Sequence, residues 1–176
     1  MANYEFTVVS NEFKTKNNEE VANVFEDLGF EETYTNSNGY VFVGSYGESA
    51  WSDDDVVVRE IGTGKVIGAY DTYNGMYEDL GSFLQSKSSI SDEEFSKMSV
   101  EELEDTLQVG NYEEVPLDEY LQEMLEDGQV FVLKEVGNEK LRYNTGCAVI
   151  IGKDFVEWID LDRKIEEFVK SKGLEV

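Results

Sequence analysis

Apolar positions change their spacing several times along the chain, and each change predicts an element. Residues 4–9 alternate, which predicts a first strand. Asn17-Asn18-Glu19-Glu20 then offers a cap with an acid close behind, and Val21, Val24, Phe25 and Leu28 recur at helical spacing up to Gly29. An extended stretch at 30–34 runs into Asn36-Ser37-Asn38-Gly39, a strong turn sequence, and returns at 40–46. Strands are predicted at 56–61 and 65–71, joined at Gly62-Thr63-Gly64. A helix follows from about 76 to 85, with Met76, Leu80, Phe83 and Leu84 on its inner face.

From residue 91 to 127 the pattern reads as three short helices. Ser91-x-x-Glu94 and Ser99-x-x-Glu102 both match the capping box, in which the hydroxyl and the carboxylate each satisfy an orphan amide of the first turn. Pro116 stands where a third helix would begin. Val100, Leu103 and Leu107 are the expected inner face of one helix, and Leu117, Leu121, Met124 and Leu125 that of the next. Past Gly128 the strand pattern returns at 129–136, a turn is expected at Gly137-Asn138-Glu139, and a strand at 141–151. Asp154-x-x-Glu157 predicts the start of a last helix ending at Gly173, with Phe155, Trp158, Ile159, Ile165, Phe168 and Val169 on its buried face.

Residues 59–66 and 134–141 share one order: basic, Glu, β-branched, Gly, two turn residues, Lys, aliphatic. Duplication of a hairpin-plus-helix unit is one reading. The general need of a tight hairpin for glycine and flanking charge is the other. The expected fold class is α+β: an antiparallel sheet built from two hairpin regions, with packed helices and a short acidic helical insertion. The divisions fall at 1–90, 91–127 and 128–176, inside one compact domain.

Composition supports a folded chain and narrows its partners. Of 176 residues, 40% are hydrophobic and 12% aromatic, which is enough to build a core despite a net charge of −25. Thirty-nine acids against fourteen Lys and Arg repel nucleic acid and anionic membrane and attract basic surfaces. Neither direct nucleic-acid binding nor membrane insertion is expected, since there is no basic footprint and no stretch of ~18 apolar residues. Residues 1–13 show no signal-peptide pattern, so a cytoplasmic location is expected.

The chain has no histidine and a single cysteine, Cys147. That removes the commonest general base, Ser-His and Cys-His nucleophile pairs, and His- or Cys-rich metal sites. No phosphate-binding glycine loop occurs, and Gly62-Thr63-Gly64-Lys65 reads as a hairpin turn. Carboxylates remain. Asp53-Asp54-Asp55, or Asp160 with Asp162, could offer oxygen ligands to magnesium or calcium, but neither has EF-hand spacing. No catalysis, cofactor or metal is therefore expected.

The acid is concentrated. Residues 91–127 hold fourteen acids and one base, Lys97, whereas residues 128–176 hold nine acids and eight bases. The candidate contact residues are Asp92, Glu93, Glu94, Glu101, Glu102, Glu104, Asp105, Glu113, Glu114, Asp118, Glu119, Glu123, Glu126 and Asp127. Like charges one helical turn apart disfavour the helix, and almost no lysine is interleaved to relieve them. A solvated face is the plain reading. The functional one is a surface imitating a phosphate backbone, which would occupy the basic groove of a nuclease or another DNA- or RNA-acting protein, as anti-restriction and anti-CRISPR inhibitors do. Two alternatives are an immunity protein against a basic toxin and a small carboxylate-metal protein. Trp51, Tyr73 and Tyr77, with Asp53, Asp54 and Asp55, are the expected secondary contacts.

Overall fold

The computed structural model describes residues 4–46, 52–72, 77, 79–139 and 143–173. In chain order the first elements are β1 (Tyr4–Ser10), α1 (Asn18–Asp27), β2 (Glu32–Thr35), β3 (Val41–Tyr46), β4 (Asp55–Glu60), β5 (Val66–Asp71) and α2 (Leu80–Lys87). They are followed by α3 (Asp92–Phe95), α4 (Val100–Leu107), a 3-10 turn (Val109–Asn111), β6 (Tyr112–Pro116) and α5 (Leu117–Met124). The chain ends with β7 (Phe131–Glu139), β8 (Tyr143–Gly152), β9 (Phe155–Asp160) and α6 (Leu161–Ser171). It divides into two units: residues 1–51 with 121–176, and residues 52–120. The α+β class holds, with the strands in two antiparallel sheets.

The first unit carries a six-stranded sheet in the order β2-β3-β1-β7-β8-β9. Strand register sorts its side chains onto two faces. Ser10, Leu133, Val149 and Trp158 are successive partners across β1, β7, β8 and β9, and Val9, Lys134, Ala148 and Ile159 form the neighbouring row on the opposite face. Helix α1 starts where the Asn17 side chain accepts the Glu20 N–H at 3.3 Å. It buries Val21, Val24 and Phe25. The Phe25 ring stacks on Phe131 at 5.6 Å, and Phe13 meets Phe131 edge-on at 4.9 Å. Val8, Val41, Val43, Leu133, Val149 and Ile151 are buried as well.

The second unit is built on a three-stranded sheet, β5-β4-β6. Gly62 and Gly64 adopt φ of +86° and +69° in the β4–β5 turn, a backbone that favours glycine. Val58, Tyr70, Phe83, Leu84 and Leu107 make its core. The Tyr70 ring stacks on Phe83 at 5.0 Å, and Tyr77 packs edge-on against both. Asp79 caps α2, exchanging hydrogen bonds with Ser82 in a full capping box.

Several local expectations change. The two hairpins lie in different sheets, not one. The last helix starts at Leu161: Phe155, Trp158 and Ile159 belong to β9, paired with β8. A run of aromatic and β-branched residues, Phe155-Val156-Glu157-Trp158-Ile159, favours the pleated edge of a sheet, and the cap is Asp160, whose carboxylate accepts the Arg163 N–H at 2.7 Å. Residues 112–116 form a strand between the acidic helices because Val56–Glu60 offers an open edge to pair with. Gly137, Asn138 and Glu139 lie inside β7, paired with Thr145, Asn144 and Tyr143. The eight-residue match thus aligns a turn with a strand, and β9, not a helix, follows the second hairpin. Helix α2 begins at Leu80, the proposed start at Met76 being outside the described residues, and Val100 is 73% exposed where an inward side chain was expected.

Candidate functional site

The second unit holds eighteen acids and four Lys or Arg, a net charge of −14 in 69 residues. Within it lies an open cleft of about 480 Å³. Leu80, Phe95, Val100, Leu103 and Val109 give it apolar walls, and Asp79, Glu104, Glu114 and the Tyr70 hydroxyl bring polar atoms to it. Among the described residues no Lys or Arg lines it. The cleft exists because α2 and α4 are fixed by their caps. The Ser99 backbone N–H donates to Glu102 Oε2 at 2.8 Å, and the Glu102 N–H returns a bond to the Ser99 hydroxyl at 3.3 Å. Leu103 and Phe95 then pack toward Tyr70 and Phe83, while Glu104 stays exposed on the cleft side.

The fourteen expected contact acids do not form one equivalent set. Glu94 and Glu102 close capping boxes. Ser91 bonds hold the Glu94 carboxyl below its ordinary range, chiefly through the hydroxyl, and Ser99 does the same for Glu102, chiefly through its backbone N–H. Glu93 pairs with Lys97 at 2.5 Å, and Asp118 accepts the Glu119 N–H at 2.9 Å. Glu113 and Glu114 stand on β6. Glu113 accepts from Arg59 Nε at 2.7 Å, and Glu114 accepts the Tyr70 hydroxyl, which raises the Tyr70 pKa, after burial of the phenol as the larger cause. Glu123, Glu126 and Asp127 fall in the other unit, where a hydrogen bond and charge from Lys153 lower the Asp127 pKa. Asp92 lies on α3. Glu101, Glu104, Asp105 and Glu119 remain exposed in the second unit with no ion pair among the described residues.

The secondary contacts separate too. Trp51 and Tyr73 lie outside the described residues. Tyr77 is half-buried against Tyr70 and Phe83, a core position and not an exposed anchor. Asp53 and Asp54 are exposed, but Asp55 is buried, its Oδ2 accepting the Ser52 N–H at 3.1 Å. Burial raises its pKa to about 7, with Asp71, Asp54 and Asp53 adding to the rise. Among the described residues no group of three or more Asp, Glu or Cys side chains is placed to hold a metal. Asp160 caps α6 and so does not share its first turn with Asp162 as a ligand pair on a helix would. Cys147 donates to Glu135 at 3.8 Å, and burial, then the Glu135 charge, raises its thiol pKa. No helix among the described residues is long and apolar enough to cross a membrane.

Tyr70, Asp79, Leu80 and Phe95 join the site only in the folded chain. The Asp79-x-x-Ser82 spacing is a legible cap signal; the position of Tyr70 beside Glu114 depends on pairing across β4 and has no local signal. Comparison with protein-family models, curated proteins and solved structures finds no match.

Proposed function

We propose that the chain is a non-catalytic acidic binder that engages a basic protein through the cleft and carboxylates of residues 52–120, and that its target is the nucleic-acid-binding groove of a DNA- or RNA-acting protein. The observation that carries this reading is an apolar cleft rimmed by Asp79, Glu104 and Glu114, with no Lys or Arg among the described residues that line it. An arginine or lysine fits that chemistry: its aliphatic stem lies on Phe95 and Leu103 while its charged head meets Glu104 or Glu114. Beside the cleft, α4 carries four acids in eight residues. That is one charge per ~3 Å of helix rise, within a factor of two of the ~1.7 Å spacing along duplex DNA. Association would release counterions from both surfaces, as DNA does when it binds the same groove.

Capture from a cell lysate on the immobilised chain, with duplex DNA and RNA as competitors, tests the reading. Proteins that nucleic acid displaces, and that the triple variant Glu101→Lys, Glu104→Lys, Asp105→Lys no longer retains, support it. Capture insensitive to both, or no capture of a basic protein, overturns it.

A further inference from the structure

Among the described residues of the first unit, exposed apolar side chains gather on α6 and the sheet beside it. We infer that this face is where two copies of the chain associate. Leu161 anchors the start of α6 over Gly146, where an added Cβ would lie 3.1 Å from Leu161 Cδ2. Leu161 is still 51% exposed, and beyond it the helix keeps its apolar stripe open, with Ile165 47% and Phe168 63% exposed. Val136 on β7 is 62% exposed. A shallow groove of about 170 Å³ runs between them over Lys134, Ala148 and Ile159. An antiparallel sheet with a free face normally turns polar residues outward, but here Val136, Ala148 and Ile159 are on it.

Size and charge identify the occupant. The four exposed side chains offer roughly 400 Å² of apolar area, the size at which a patch on a monomer is commonly functional. A standard interface buries ~800 Å² per partner, a little over half of it apolar, so this patch is a sufficient centre for one. In a chain of net charge −25, self-association is least opposed where the charge balances. Helix α6 has three acids and three bases, while α1, α3, α4 and α5 carry three or four acids each and no base. Its halves are also self-complementary. Asp162, Arg163 and Lys164 make the first half net positive and Glu166, Glu167 and Lys170 make the second half net negative, so two antiparallel copies of α6 about a two-fold axis set opposite charges against each other.

This inference is independent of the acidic-cleft reading, and sedimentation velocity on the full chain over a wide concentration range tests it. The expected result is a dimer that persists, and tightens, at high salt as the net repulsion is screened. Ile165→Asp with Phe168→Asp should weaken it by about a hundredfold or more, because two central apolar contacts are lost. Val136→Lys, on the sheet and outside the helix, should weaken it too. A monomer at every concentration, a dimer unchanged in both variants while circular dichroism stays native, or an open-ended series of larger species would overturn the inference.

Discussion

Asp55 shows how one side chain couples the fold to pH. It opens β4 with only 3% of its surface exposed and faces Asp71 across the strand pair. Its folded-state pKa of about 7 lies above the ordinary carboxylate value of 3.8, with burial as the first cause. Between those two values the folded chain holds a proton that the unfolded chain has released, so stability falls as pH rises from about 4 to 7. Asp55→Asn removes that titration and leaves an oxygen for the Ser52 N–H. The variant should exceed the parent by about 2–4 kcal/mol at pH 8 and match it near pH 4, read from urea unfolding at each pH. An equal offset at both pH values would place the cause elsewhere. Glu94 and Glu102 run the other way: their lowered pKa values favour folding above the carboxylate range and lose that contribution as pH falls through it.

At the scale of elements, stability rests on a few fully buried faces. Leu121 of α5 is 0% exposed, and Leu121→Ala should cost about 3 kcal/mol in denaturant unfolding. Elements with caps were legible in the sequence: α1, α3 and α4 begin where Asn17, Ser91 and Ser99 indicate, since a cap is a local hydrogen bond between residues three apart. Elements set by pairing were not. Tyr112–Pro116 becomes a strand because β4 presents an edge, and Phe155–Asp160 because β8 does. The Asp154-x-x-Glu157 spacing matches a cap, yet pairing of the whole 155–160 stretch with β8, which sets the half-buried Val156 opposite Ile151, outweighs so weak a local preference. The candidate acids divide for the same reason: those on α4 stay exposed, whereas the β6 acids meet Arg59 and Tyr70, residues more than forty positions away.

For the whole molecule, charge sets how any partner is met. If the proposed basic partner docks on residues 52–120, its affinity should fall steadily with ionic strength, and the triple reversal at Glu101, Glu104 and Asp105 should flatten that slope as well as weaken binding by orders of magnitude. Isothermal titration at several salt concentrations reads both effects. An affinity indifferent to salt would remove the carboxylates from the interface. The proposed dimer should respond in the opposite sense, tightening as salt rises, so one salt series separates the two surfaces.

By itself the sequence determined the α+β class, the acidic surplus, the absence of histidine chemistry and the starts of the capped helices. These depend on composition or on residues within one turn of each other. Only the tertiary structure decided that the strands form two sheets, that Asp55 is buried while Asp53 and Asp54 are not, that Glu104 and Glu114 share a cleft with Tyr70, and that the α6 stripe stays open. Burial and strand pairing join residues far apart in the chain. A leucine or an aspartate reads the same in sequence whichever surface the fold gives it.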